Sequence, residues 1–150
     1  MDMKFDFVIG NPPYQDNTSG DNETYAPPIY HLFMDTAYSI SDKVELIHPA
    51  RFLFNAGSTS KDWNKKMLND PHFKVLYYEQ DSSKVFANTD IKGGIAITYR
   101  SASDNFGVIE MFTSFPELNS ILQKVYNHIE FQSIMQMRVC VHRRFKREKA

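Results

Sequence analysis

Apolar and polar positions alternate between two rhythms along this chain. Phe5-Asp6-Phe7-Val8-Ile9-Gly10 is an apolar strand that runs straight into Asn11-Pro12-Pro13-Tyr14. Pro27-Pro28 then open a segment with Ile29, Leu32, Phe33, Ala37 and Ile40 at helical spacing. Val44 to Pro49 reads as a short buried strand stopped by proline. Ser58 to Asn69 reads as a helix whose apolar stripe is Trp63, Met67 and Leu68, closed by Pro71. Phe73–Glu79, Gly94–Tyr99 and Gly107–Phe112 read as further strands, and Pro116–His128 as a helix. Strands alternating with helices imply α/β architecture with a mainly parallel sheet, and the adjacent strands near the end imply an antiparallel edge.

The Asn-Pro-Pro-Tyr corner combines several devices. Asn11 carries an amide acceptor and donor. Two prolines hold φ and remove two backbone donors, so the turn is stiff and its carbonyls act purely as acceptors. Tyr14 sets a flat aromatic face beside them. Such a corner suits a planar ring bearing an exocyclic amino group. As simple punctuation, the same residues would make a turn with a surface tyrosine.

An apolar strand ending in Asn-Pro-Pro-Tyr resembles the catalytic motif of DNA methyltransferases that act on exocyclic amino groups, above all adenine N6. Lys84-Val85-Phe86 leading through Asp90-Ile91-Lys92-Gly93-Gly94 into an apolar strand is similar to a later segment of that family, in particular of single-chain restriction–modification enzymes. The resemblance covers about residues 4 to 100. It implies a Rossmann-like fold in which the motif ends the fourth strand, S-adenosylmethionine as cofactor, and DNA as partner, with the target adenine flipped out of the stack. Carried over, Asn11 and the Pro12 carbonyl accept hydrogen bonds from the amino group, Pro13 stiffens the turn, and Tyr14 stacks on the base. Phe86 is the position that packs on the base's other side, or else anchors a loop.

The same resemblance exposes a gap. The family's cofactor loop and acidic strand end lie upstream of the motif, only three residues precede Lys4, and no Gly-x-Gly string occurs. Gly93 and Gly94 fit tight entry into a strand, since no helix start follows them. The expectation is a partial methyltransferase domain over residues 1–130, lacking its cofactor-binding half, with a basic tail over 131–150. The chain would be a piece of a longer enzyme, a half complemented by another chain, or a remnant. The alternative function is an inactive fragment or assembly module that binds DNA or a partner without catalysis. A related Asn-Pro-Pro-Tyr site modifies protein glutamine, a third substrate class that the Asp-Ile-Lys-Gly-Gly string disfavours. An uncovered first strand would also invite self-association.

Composition changes the picture little. The 150 residues, 42% of them hydrophobic, suit one modest core. Net charge is −1, but Arg138, His142, Arg143, Arg144, Lys146, Arg147 and Lys149 crowd the tail, opposed only by Glu148. Of these, Arg143, Arg144, Lys146 and Arg147 are the candidate DNA-phosphate contacts, with a solubilising tail as the alternative. Gln15–Thr24 is polar and should be a loop. One cysteine, Cys140, is compatible with the cytoplasm and with an inert thiol. No apolar run reaches membrane-span length. The histidines show no metal-ligand spacing, so no metal is expected. His48 reads as a loop or pocket-lining residue, Asp6 as structural, and Arg51 as reaching either a phosphate or a carboxylate.

Overall fold

The computed structural model describes residues 4–16 and 26–126. The described residues up to Ser114 form one compact unit, and those from Phe115 onward belong to a second. The first unit contains β1 (Val8–Gly10), α1 (Tyr30–Ile40), β2 (Lys43–Pro49), α2 (Lys61–Leu68), β3 (Phe73–Glu79) and β4 (Ile95–Ser101). Short 3-10 turns occupy Arg51–Phe54 and Ser82–Lys84. The second contains α3 (Pro116–Tyr126), which opens on proline and carries Glu117 in its first turn and Lys124 in its last, as the helix dipole favours. His128 lies outside the described residues, as does the whole basic tail.

Each element follows from local chemistry. The α2 start is capped by Ser60, whose side-chain oxygen accepts the Trp63 N–H at 3.2 Å. Trp63, Met67 and Leu68 are buried, as their spacing predicts. The buried face of α1 is Tyr30, Met34 and Ala37, a turn apart from one another. Leu32 and Phe33, expected in that stripe, are exposed at 55% and 45%. The helix is rotated because the Tyr30 ring packs into an aromatic cluster with His48, Phe52 and Trp63. Asp35 ties α1 to α2 by accepting from the Trp63 indole at 3.0 Å and the Lys66 ammonium at 2.9 Å.

The sheet order is β1-β2-β4-β3. β1 and β2 are parallel, joined through α1, while β4 is antiparallel to both of its neighbours. Three strands thus point the same way, but only one of the three pairings is parallel. The expected mainly parallel sheet with an antiparallel edge is corrected to a mixed sheet with the reversed strand inside it. Burial explains the choice. β4 presents Ile95 and Ala96 fully buried, whereas β3 exposes Leu76 and Tyr77 and suits an edge. Gly107–Phe112 is not a strand. Gly107 and Glu110 have positive φ, which breaks extended structure, and the Ile109 and Glu110 N–H groups bond the Leu68 carbonyl at the end of α2.

Gly94 performs the strand entry expected of it. At φ +78°, its α-carbon sits so close to the end of β3 that a Cβ would strike the Glu79 carbonyl and lie 2.8 Å from the Gln80 Cα. Its own carbonyl accepts the Ala50 N–H at 2.9 Å. This contact locks the end of β2 to the start of β4.

Candidate active site

β1 carries the chain to the end of the sheet, where Asn11–Tyr14 leave it. The turn is pinned from behind. The Ile29 N–H bonds the Tyr14 carbonyl at 3.1 Å, and the Asp16 N–H bonds the Pro27 carbonyl at 3.0 Å. Asn11 is exposed and Tyr14 is half-buried against the core. The Pro12 carbonyl accepts no backbone hydrogen bond among the described residues. Burial raises the Tyr14 pKa above the usual phenol value, and the neighbouring Asn11 side chain opposes that rise. No bond of good geometry joins the two, and the shielded Tyr14 hydroxyl has no hydrogen-bond partner.

Tyr14 lines a cleft of about 490 Å³, together with Gln15, Tyr30, Arg51, Asp90 and Lys92. That size suits a small planar ligand. The Tyr30 side is rigid. Its ring stacks on His48 with centroids 5.8 Å apart and planes 9° from parallel. His48 Nδ1 lies 3.1 Å from the Pro49 carbonyl, and Nε2 lies 2.7 Å from Thr98 Oγ1. A carbonyl only accepts, so Nδ1 carries the proton and Nε2 accepts from the threonine hydroxyl. Burial pushes the His48 pKa down to about 4, so the ring is neutral at pH 7. Burial likewise pushes Tyr30 up to about 12, with the Thr59 side chain opposing. The expectation of a loop or pocket-lining His48 is corrected: it is a fully buried residue of β2 that supports a cleft residue from behind.

The sequence-derived candidates separate. Tyr14 faces the cleft, with Asn11, Pro12 and Pro13 leading into it from β1. Phe86 is half-buried in the loop after β3, its N–H bonded to the Ser82 carbonyl at 2.9 Å, and does not line the cleft. Asp90, Ile91 and Lys92 of the same loop do. Asp6 is exposed ahead of β1. Arg143, Arg144, Lys146 and Arg147 lie outside the described residues, as does Cys140. Among the described residues, no group of three His, Cys, Asp or Glu could hold a metal ion, and no helix is long and apolar enough to cross a membrane. Sequence reasoning passed over Tyr30, whose signal was an aromatic directly after the Pro-Pro-Ile helix start. It also passed over Lys92, which stood inside the Asp-Ile-Lys-Gly-Gly string.

A family model described as Eco57I restriction-modification methylase matches residues 1–86. The chain belongs to the Eco57I restriction-modification methylase family. The span shared with the Eco57I methylases takes in the Asn11–Tyr14 turn, α1, β2, α2, β3 and Phe86, and stops before β4. The chain is also 35% identical over 95 residues to a protein of Mycoplasma pneumoniae described as an uncharacterized adenine-specific methylase. That alignment covers 62% of this chain and 22% of the relative, so the chain spans about a fifth of the relative's length. No solved structure gives a significant match.

Proposed function

We propose that this chain supplies the amine-gripping half of an adenine-N6 DNA methyltransferase site of restriction–modification type. One observation carries the reading. A proline-stiffened turn at the open end of β1, with an exposed amide and a carbonyl that accepts no described backbone bond, stands beside an aromatic cleft large enough for a base. Membership of the Eco57I family and the adenine-specific description of the relative support it.

The adenine amino lone pair is delocalised into the ring, which makes the nitrogen a poor nucleophile. With a flipped adenine against Tyr14, the Asn11 side-chain oxygen and the Pro12 carbonyl accept its two hydrogens. Drawing those hydrogens out of the ring plane moves the nitrogen toward tetrahedral geometry and localises its lone pair. The interaction strengthens as the nitrogen pyramidalises, so it favours the transition state over the ground state. Tyr14 fixes the ring by stacking, which places the amine for in-line attack. S-adenosylmethionine supplies an electrophilic methyl group when bound. The described residues do not form its cradle: α1 follows its N-cap Ile29 and α2 its N-cap Ser60 with no Gly-x-Gly loop described before either, and Gly93-Gly94 feed a strand. β1 has no strand on its outer side among the described residues, and Ile9 there is 72% exposed. A complementing segment carrying the cofactor residues fits that edge.

The test is methyl transfer to DNA by the assembled enzyme with Asn11→Ala. Loss of transfer with an unchanged melting curve is expected, and wild-type turnover would remove the mechanism. That the described residues form no such cradle is the observation behind a second reading for the chain alone, a module that binds DNA without catalysis. Adding a complementing segment that carries the cofactor residues separates the two, since methyl transfer to DNA by the reconstituted pair excludes the module.

A further inference from the structure

We propose that Arg51, assisted by Lys92, is a phosphate-binding position in the wall of the Tyr14 cleft, and that its ligand is the phosphodiester beside the nucleotide whose base enters that cleft. The inference rests on the nucleic-acid reading above. It adds a contact to the DNA backbone made by residues of the first unit.

Arg51 opens the turn that follows β2, and the residue before it, Ala50, is fully buried and bonded to Gly94. Its aliphatic stem runs through a slot shaped by two glycines. Gly57 and Gly93 have φ of +92° and +89°. A Cβ on Gly57 would lie 3.3 Å from Arg51 Cδ, and one on Gly93 would lie 3.0 Å from Arg51 Cβ. The stem therefore lies in space that the two glycines leave free, and a side chain at either position would press on it and strain the backbone. Yet the residue is exposed and forms no ion pair among the described residues. Lys92 is likewise exposed and without an ion pair among them, and Asp90, the acid that lines the cleft, pairs with neither.

A guanidinium whose stem lies against two glycines and that forms no ion pair among the described residues is available to an anion. Its planar fork matches two oxygens of one phosphate. The aromatic side of the same cleft takes a base. A nucleotide within a strand carries both, a flat base and an anion close by, and the nucleic-acid reading above selects it over a free nucleotide.

The test uses the full chain and a labelled duplex with one bulged adenine, followed by anisotropy across a salt series. Arg51→Gln keeps the Cβ and Cγ that fill the slot. It should weaken binding about tenfold and reduce the slope of log Kd against log salt by about one. Replacing the two phosphates that flank the bulge by neutral methylphosphonates should weaken the wild type by a similar factor and leave R51Q unaffected. Arg51→Lys should restore the salt slope, which separates lost charge from lost folding. Wild-type affinity and slope in R51Q, additive losses in the cycle, or no DNA binding by the wild type would each overturn the proposal. The base-capture reading is scored separately, by preference for the bulge over a fully paired duplex. If that preference is missing while the Arg51 effects persist, base capture fails and the phosphate site stands.

Discussion

For single residues, the proposed site rests on side chains and carbonyls without a partner among the described residues. Among the described residues, the Tyr14 hydroxyl lacks a partner, the Pro12 carbonyl accepts no backbone bond, and Arg51 has no counter-ion. Buried polar groups are normally paired, so the shielded Tyr14 hydroxyl fits the proposal that a ligand completes this place. Tyr14→Ala removes the stacking face and should weaken capture of a bulged adenine by about 1–3 kcal/mol, measured as a loss of preference over a paired duplex. Tyr14→Phe keeps the ring and should retain most of that preference; an equal loss in both variants would assign the effect to the hydroxyl. The exposure of Asn11 and the place of Tyr14 at the cleft fit what the four-residue motif suggests, a stiff turn that presents its side chains. Arg51 stood open between phosphate and carboxylate, because whether it forms an ion pair is a fact of three dimensions; among the described residues it forms none.

Among the elements, the chain writes its helices and strands clearly and their neighbours poorly. β4 contains a run of apolar and β-branched residues, which predicts a strand but not the slot between β2 and β3 that it fills. The entry to that slot is Gly94. Gly94→Ala adds a methyl group against the Glu79 carbonyl in a left-handed conformation, and should lower stability by about 2 kcal/mol or more. Chemical denaturation measures this, and unchanged stability would show that the two strand ends separate freely. The false strand at Gly107–Phe112 has the same origin. Its residue pattern is strand-like, but positive φ at Gly107 and Glu110 turns it across the end of α2.

Across the folded molecule, stability carries the mark of a neutral histidine built into the core. His48 has its pKa lowered from 6.5 to about 4 in the folded state. The unfolded chain therefore binds more protons between those values, and stability falls as pH drops from 6.5 toward 4. The full contribution is present above the upper value and amounts to on the order of 3 kcal/mol. Thermal unfolding followed from pH 7 to pH 4 should show this decline. His48→Gln should be less stable at pH 7 and should lose less on acidification. An identical pH slope in the variant would place the dependence on other groups.

Short stretches of the chain were enough to set the stiffness of the Asn11–Tyr14 turn, the succession of strands and helices through β4, and the need for glycine at the β4 entry. Proline geometry, hydrophobic period and the steric freedom of one residue act locally, so they can be read locally. Three outcomes needed the folded molecule: the place of β4 between β2 and β3, the inward turn of Tyr30 toward His48, and the meeting of Arg51, Lys92 and Tyr14 around one cleft. Each depends on which surfaces pack together. Burial summed over residues far apart in the chain makes that choice, and no local pattern records it.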